Sequence, residues 1–553
     1  MNTMPFHHYK PFPPVILPDR TWPGKVIEKA PLWCAVDLRD GNQALINPMD
    51  PQQKMRLFNQ LVAIGFKEIE VGFPAASRDD FDFTRQLIEN NLIGDDITIQ
   101  LLTQAREHLI RRSFESIAGA KQAIVHIYNS TSPLQRRVVF GMEQKEIIKL
   151  AVDGVALIRD LARDCDSKIR LQYSPESFSA TELEFSVEIC QAVMEAWGAS
   201  VDNPVILNLP ATVESATPNV HADQIEWFCR HLPNSNGAII SIHPHNDRGT
   251  AVAAAELALM AGAQRVEGTL FGNGERTGNV DLVTMAMNLF SQGVDPNLDL
   301  SNMAEIVNTF EECSDLAVHP RHPYSGSLVF TAFSGSHQDA IQKGLRALKE
   351  EENPGWSVPY LPINPDHLGR RYETFIRINS QSGKGGVAFV LEQMFGLRLP
   401  PGVVKEFSST VQKMADESGR ELQPDEIYAA FIKNYLNEPT EIELLSYDHR
   451  PMAGHDTVCR LSGKLRNGQN VVEFDEEGSG PVSALVVVLE RVLQKVIKIN
   501  SFDQHGVGEG RHAKAATYIS LTLDGGPQSF GVGLHTNTTT SALAAVIRAV
   551  LRV

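Results

Sequence analysis

Short apolar runs alternate with stretches of 3.6-residue period along the first half of the chain, the pattern of strands that each feed a helix. The runs predicted as strands are Leu32–Leu38, Lys67–Phe73, Ile97–Thr103, Gln122–Asn129, Lys168–Tyr173, Pro204–Leu209, Ala238–His243 and Arg265–Phe271. They make eight βα units between Leu32 and about Phe290, close to the roughly 250 residues of a closed (β/α)8 TIM barrel. An open doubly wound sheet is the competing arrangement, but successive units with connections of similar length favour closure. Residues 1–30 are rich in proline and weakly periodic, which predicts an extended arm lying over this subunit or a neighbour.

Past Phe290 the alternation ends. Residues 301–435 read mostly as helix, interrupted by P-G-W-S-V-P-Y-L-P-I-N-P at Pro354–Pro365. The last segment repeats itself: Asn467-Gly468 returns as Gly525-Gly526 and Ser483-Ala484-Leu485 as Ser541-Ala542-Leu543, both 58 positions later. Each copy reads as strand, tight turn, strand and helix. Two such ββα units bury their sheets only against each other, forming a small α+β domain with a pseudo-two-fold seam, fit for docking or for sensing a ligand. The expected organisation is an arm over 1–30, a barrel over 31–326, a helical linker over 327–440 and the repeat domain over 441–553.

In a barrel of this kind the chemistry gathers where strands end and helices begin. Those places carry Arg39 and Asp40 after the first run, Leu102 and Thr103 after the third, His126 and Tyr128 on the fourth, and Ser174 and Glu176 after the fifth. Thr212 follows the sixth, His243 and His245 close the seventh, and Glu275 and Asn279 lie in the Gly-rich loop after the eighth. Two histidines at i and i+2 on a strand point the same way. With a third donor they can hold one divalent cation. Singly each residue has a plainer role: Thr212 and Ser174 as turn or cap residues, His126 as a satisfied core histidine. Together they mark a site.

Composition removes other classes. With hydrophobic residues at 42%, charged ones at 21% and no apolar run near the ~18 needed to span a bilayer, the chain reads as soluble and globular. A net charge of −17 disfavours nucleic acid. The N-terminus lacks the apolar core of a signal peptide, and six scattered cysteines without C-x-x-C indicate neither zinc knuckle nor disulfide scaffold, so a reducing cytoplasm is expected. S-G-K-G-G at Ser382–Gly386 fails as a phosphate loop, with Ile378 for the first glycine and Gly385 where Ser or Thr should stand. G-N-G-E-R-T-G at Gly272–Gly278 is one residue longer than the dinucleotide fingerprint, which argues against a nicotinamide cofactor.

The motifs L-R-D-G-N-Q (Leu38–Gln43), S-P-E (Ser174–Glu176), N-L-P-A-T (Asn208–Thr212), H-P-H-N-D-R-G (His243–Gly249) and G-N-G-E-R-T-G-N (Gly272–Asn279) together resemble the 2-isopropylmalate synthases. H-P-R-H-P-Y, F-S-G-S-H-Q-D-A, V-P-Y-L-P-I and the terminal repeat extend the likeness to nearly the whole chain, in the long form of that family. The resemblance implies condensation of acetyl-CoA with 3-methyl-2-oxobutanoate and thioester hydrolysis, the step committing carbon to leucine. It implies one divalent cation, Mg²⁺, Mn²⁺ or Zn²⁺, on Asp40, His243, His245 and Asn279. Arg39 would then add positive charge at the reacting carbonyl, and Thr212 would donate to the substrate carboxylate. Leu102, His126, Tyr128, Ser174 and Pro210 look like the pocket for the branched tail, with Glu176 beside the metal water. The base is Glu275 or His337, and the residues do not choose between them. By the same likeness His337 and Tyr360 reach the barrel mouth of the partner in a homodimer. The Gly-rich turns around Gly480 and Pro481 and at Gly531–Thr536, with the small residues Ala513, Ala515 and Ala516 beside them, are expected to hold leucine in the seam of the repeat. Citramalate and homocitrate synthases share the metal motifs and form the nearest alternative. A lyase or carboxyltransferase on the same barrel would leave the repeat unexplained, and a non-catalytic metabolite-binding regulator would not need the metal, arginine and base candidates.

Overall fold

The computed structural model describes residues 4–350, 355–372, 384–418, 422, 424–436, 441–452, 458–508 and 510–552. Eight parallel strands close into a barrel in chain order, β1 (Leu32–Ala35), β2 (Glu68–Gly72), β3 (Thr98–Gln104), β4 (Gln122–Ser130), β5 (Lys168–Glu176), β6 (Val205–Ala211), β7 (Ala238–Pro244) and β8 (Arg265–Gly268). Closure is made by β1 on β8, with Leu32 opposite Arg265 and Ala35 opposite Gly268. Local signals set the helices between them. Asp50 caps Pro51–Ile64 by accepting from the N–H groups of Gln52 and Gln53, while the Gln53 side chain accepts from the Asp50 N–H. Proline opens that helix, and Gly65, at φ 113°, ends it in a left-handed turn.

Two strands stop earlier than their apolar runs. β1 ends at Ala35 because the chain winds into one wide turn, Asp37–Gly41, whose N–H groups at Arg39, Asp40 and Gly41 all point to the carbonyl of Val36. On an extended strand Arg39 and Asp40 would diverge to opposite faces. The turn brings them to one place. β8 ends at Gly268 and passes into the turn Leu270–Gly272, with Phe271 at φ 57°.

The chain divides into two compact units, one comprising 1–330 with 363–371 and the other 331–362 with 372–553. In the first, Ile363–Arg371 returns to the barrel's own tail, where Arg370 donates to the carbonyls of Ser325 and Gly326. In the second, the helices expected as a separate linker join the terminal domain: Val390, Leu391, Phe407 and Phe431 bury one face of a sheet that presents Ala516, Tyr518 and Val532. Ser382 and Gly383 of the failed phosphate loop lie outside the described residues.

The terminal repeat has one strand more per copy than the ββα pattern. β9 (Ile442–Pro451), β10 (Cys459–Asn467) and β11 (Asn470–Gly478) precede a helix at Pro481–Leu493; β12 (Ile497–Val507), β13 (Lys514–Leu523) and β14 (Gln528–His535) precede one at Thr538–Leu551. The sheets run β11-β10-β9 and β12-β13-β14, antiparallel throughout. The added strands β9 and β12 lie at sheet edges and are largely exposed, so they lack the apolar alternation that reveals a strand. The two units share a core of Leu461, Leu485, Val488, Leu521, Leu543 and Val546.

Candidate active site

Side chains at the carboxyl ends of the barrel strands enclose a cavity of ≈ 350 Å³. Arg39, Asp40, Leu102, His126, Tyr128, Ser174, Glu176, Pro210, Thr212, His243, His245 and Glu275 line it, with Gln43, Phe73, Asn208 and Arg276. Asn279 adjoins it, paired across an isolated bridge with His245. Close packing in the loop places it there: Gly278 sits at φ 99°, and a Cβ on it would lie 1.8 Å from the carbonyl of Gly272. Thr103 is buried away from this lining.

Asp40, His243 and His245 offer one ligand atom each, all within 4.8 Å of one another. All three are buried. Asp40 Oδ2, His245 Nδ1 and Asn279 Oδ1 have no hydrogen-bond partner among the described residues, an arrangement that costs stability unless something binds there. Two imidazoles, a carboxylate and an amide oxygen are the donor set of a divalent cation.

Around these atoms runs a closed ring of contacts. Arg39 Nη1 donates to Asp40 Oδ1 at 2.5 Å and its Nε to Glu70 Oε2 at 2.6 Å. Glu70 Oε1 lies 2.8 Å from His126 Nδ1, and His126 Nε2 lies 2.7 Å from Ser174 Oγ. Asn208 Nδ2 donates at 3.0 Å to both Ser174 Oγ and Glu267 Oε2. Glu267 Oε2 is 2.9 Å from His243 Nδ1, and His243 Nε2, 3.4 Å from Asp40 Oδ2, closes the circle. A carboxylate only accepts, so His126 donates from Nδ1 to Glu70, while its Nε2 and the Ser174 hydroxyl hydrogen-bond each other. His126 and Ser174 are thus satisfied by each other. Toward the cavity they add little unmet polarity to Leu102 and Pro210.

The electrostatics follow from burial and neighbours. Burial works against charge on Asp40, but Arg39 and His243 outweigh it and hold the carboxyl far below its usual range. Burial likewise opposes a proton on His243, yet Asp40 and Glu267 hold it up to about 9. His245 is pushed down to about 4 by burial and then by His243. Arg39 stays charged: burial opposes it, and Asp40 and Glu70 prevail.

Other sequence candidates divide. The Thr212 hydroxyl accepts from the Ser177 N–H at 2.9 Å, the turn role foreseen for it, and among the described residues its own proton has no acceptor. Glu176 takes a hydrogen bond from the Ser130 hydroxyl. Glu275 is exposed at the cavity wall. His337 and Tyr360 belong to the second unit, where their rings stack with centroids 4.0 Å apart, and Tyr360 is 62% exposed at a strained φ of 64°.

The terminal candidates need correction. Ala515 and Ala516 are consecutive on β13 and face opposite sides, so they cannot line one seam: Ala516 is covered by the helices around Val390 and Phe407. Gly531–Thr536, read as a turn, is mostly strand β14. Gly480 and Pro481 start a helix with no side-chain cap, and Ala513 lies half-buried before β13.

Sequence reasoning missed Glu70, Gln100, Gln172, Asn208, Arg265 and Glu267, the polar interior beneath the cavity. Their signal was present. Glu68 and Glu70 alternate with Ile69 and Val71, and Arg265 and Glu267 flank Val266, so each strand carries charge on one face only.

The comparisons with known proteins agree with this geometry. Residues 30–310 match the HMGL-like family model, 327–392 the alpha-isopropylmalate synthase post-catalytic domain-like model and 421–553 the LeuA allosteric (dimerisation) domain model. A 2-isopropylmalate synthase of Rhodospirillum rubrum is 54% identical over 98% of each chain. That of Ralstonia nicotianae is 52% identical over 99% of this chain and 95% of its own, and that of Clostridium acetobutylicum 48% over 99% of each. With a barrel, a site and this identity along its whole length, the chain belongs to the 2-isopropylmalate synthase family.

Proposed function

We propose that the chain condenses acetyl-CoA with 3-methyl-2-oxobutanoate, hydrolyses the thioester and releases 2-isopropylmalate and CoA, under feedback inhibition by leucine. The cavity carries this reading: a buried cluster of cation donors stands beside a wall of Leu102, Pro210 and the self-satisfied pair His126 and Ser174. Asp40, His243, His245 and Asn279 would hold one divalent cation, Mg²⁺, Mn²⁺ or Zn²⁺, which when bound polarises the ketone and offsets the alkoxide charge. Arg39, fixed between Asp40 and Glu70, holds its own charge at the same oxygen. Thr212 donates its hydroxyl proton to the substrate carboxylate. Tyr128 helps enclose the branched tail, and Glu176 orients the water that cleaves the thioester.

The acetyl methyl proton goes to Glu275 or His337. Loss of methyl hydrogen exchange in Glu275→Gln, but not in His337→Ala, would assign it to the first. His337 and Tyr360 of one subunit serve the other's barrel in a homodimer. Mixing inactive His243→Ala and His337→Ala proteins is therefore expected to restore part of the activity, through mixed dimers with one intact site. No recovery after verified subunit exchange would count against this.

No helix among the described residues is long and apolar enough to cross a membrane. For leucine, the uncapped helix start at Gly480 and Pro481 leaves backbone N–H groups for a carboxylate, whereas Asn537 caps the matching helix itself. Ala513 and Ala515 remain candidates for the surroundings of that ligand. The test is CoA release with 2-oxo acids of several sizes, with and without leucine. 3-Methyl-2-oxobutanoate is expected to give the highest kcat/KM, and leucine an inhibition within about 5- to 150-fold. A preference for pyruvate would overturn the assignment of the tail pocket. Gly278→Ala, whose Cβ meets the Gly272 carbonyl that accepts from the Asn279 N–H, is expected to cut kcat/KM about 10²-fold.

A further inference from the structure

The geometry points to Glu267 as the residue that positions His243, and so decides how well the cation site is formed. This rests on reading Asp40, His243 and His245 as that site. Glu267 is fully buried on β8, and both its oxygens are gripped. Oε1 accepts from Arg265 Nη1 at 2.7 Å, Gln172 Nε2 at 2.7 Å and Gln100 Nε2 at 2.9 Å. Oε2 accepts from Asn208 Nδ2 at 3.0 Å and faces His243 Nδ1 at 2.9 Å.

Three of these five partners are amides anchored on β3, β5 and β6 and a fourth is the Arg265 guanidinium of β8 itself, so the carboxylate cannot follow the imidazole; the imidazole must follow it. Accepting at Nδ1 fixes the His243 tautomer and ring plane, and leaves Nε2 turned to Asp40 Oδ2 at 3.4 Å. The ring of the other candidate imidazole, His245, forms no hydrogen bond through either nitrogen among the described residues, and its Nδ1 stands open to a cation. Ligand geometry is therefore imposed at His243 and fitted at His245. Glu267 lies outside the lining of the cavity and touches no substrate. It acts through His243.

The experiment is Mn²⁺ titration of the full chain by calorimetry, with the Mn²⁺ spectrum as a second readout. Glu267→Gln keeps the shape but sets an NH₂ against one group of donors. It is expected to weaken Mn²⁺ binding about 10- to 100-fold, to alter the spectrum, and to leave the KM for acetyl-CoA within about twofold. A folded Glu267→Gln protein that binds Mn²⁺ as tightly as wild type overturns the proposal. Should that variant not fold, Gln172→Leu removes one donor from the same carboxylate. It is expected to weaken Mn²⁺ at least about threefold, and unchanged affinity there overturns the proposal equally. If the wild type itself binds no Mn²⁺, the reading of the cation site fails instead.

Discussion

His243→Ala protein is expected to fold, to lose its cation on dialysis and to turn over about 10³-fold or more slowly. The substitution removes one of the candidate donors that lie within 4.8 Å of one another, and with it an electrostatic effect worth several kcal/mol at the reacting carbonyl, where each ~1.4 kcal/mol is a factor of ten. The fold should survive because Glu267, the group left behind, keeps Arg265, Gln172, Gln100 and Asn208 as donors. Metal content, circular dichroism and steady-state CoA release check the three parts. A variant that retains both cation and rate would remove His243 from the cation site, and one that loses the cation but keeps the rate would remove the metal from the mechanism.

Arg39→Met is expected to fail differently, in stability as well as rate. Its guanidinium spans two carboxylates, Asp40 and Glu70, of which Glu70 is fully buried. Removing one partner of a buried pair costs about 3–5 kcal/mol because the remaining charge is uncompensated, and loss of a donor to the developing oxyanion costs a further factor of about 10²–10³ in kcat. Arg39→Lys should recover part of the stability and little of the rate, since one ammonium cannot present the fork that bridges both acids. Denaturant midpoints beside kcat separate the two losses. Equal midpoints for wild type and Arg39→Met would show that Asp40 and Glu70 find other partners.

The barrel was legible because its apolar runs and helices alternate without a break, and because conspicuous groups such as His243 and His245 stand at strand ends. What pairs with them was not. Glu70 and Glu267 read as polar residues on apolar strands, and only closure of β1 on β8 turns every strand's inner face to a common axis where an acid of β2 meets a histidine of β4. Arg39 and Asp40 were found by motif, whereas the wide turn that lets neighbours share a site has no apolar signature. In the terminal units β9 and β12 escaped notice because they are solvated edges, and Ala515 and Ala516 were grouped by size although a strand sends them to opposite faces.

The ring beneath the cavity, extended by Arg265, Glu68 and Arg170, also keeps a charge account. Three guanidinium groups, Arg39, Arg170 and Arg265, face four carboxylates, Asp40, Glu68, Glu70 and Glu267. That leaves one negative charge, which the proton on His243, held up to about 9, cancels. A divalent cation in place of that proton turns the sum to one positive charge, and a substrate bearing a single carboxylate returns it to zero. Uncompensated charge is costly where water is excluded, so the ring passes from one compensated state to another: cation binding is expected to release the His243 proton, and to weaken as pH falls below about 9.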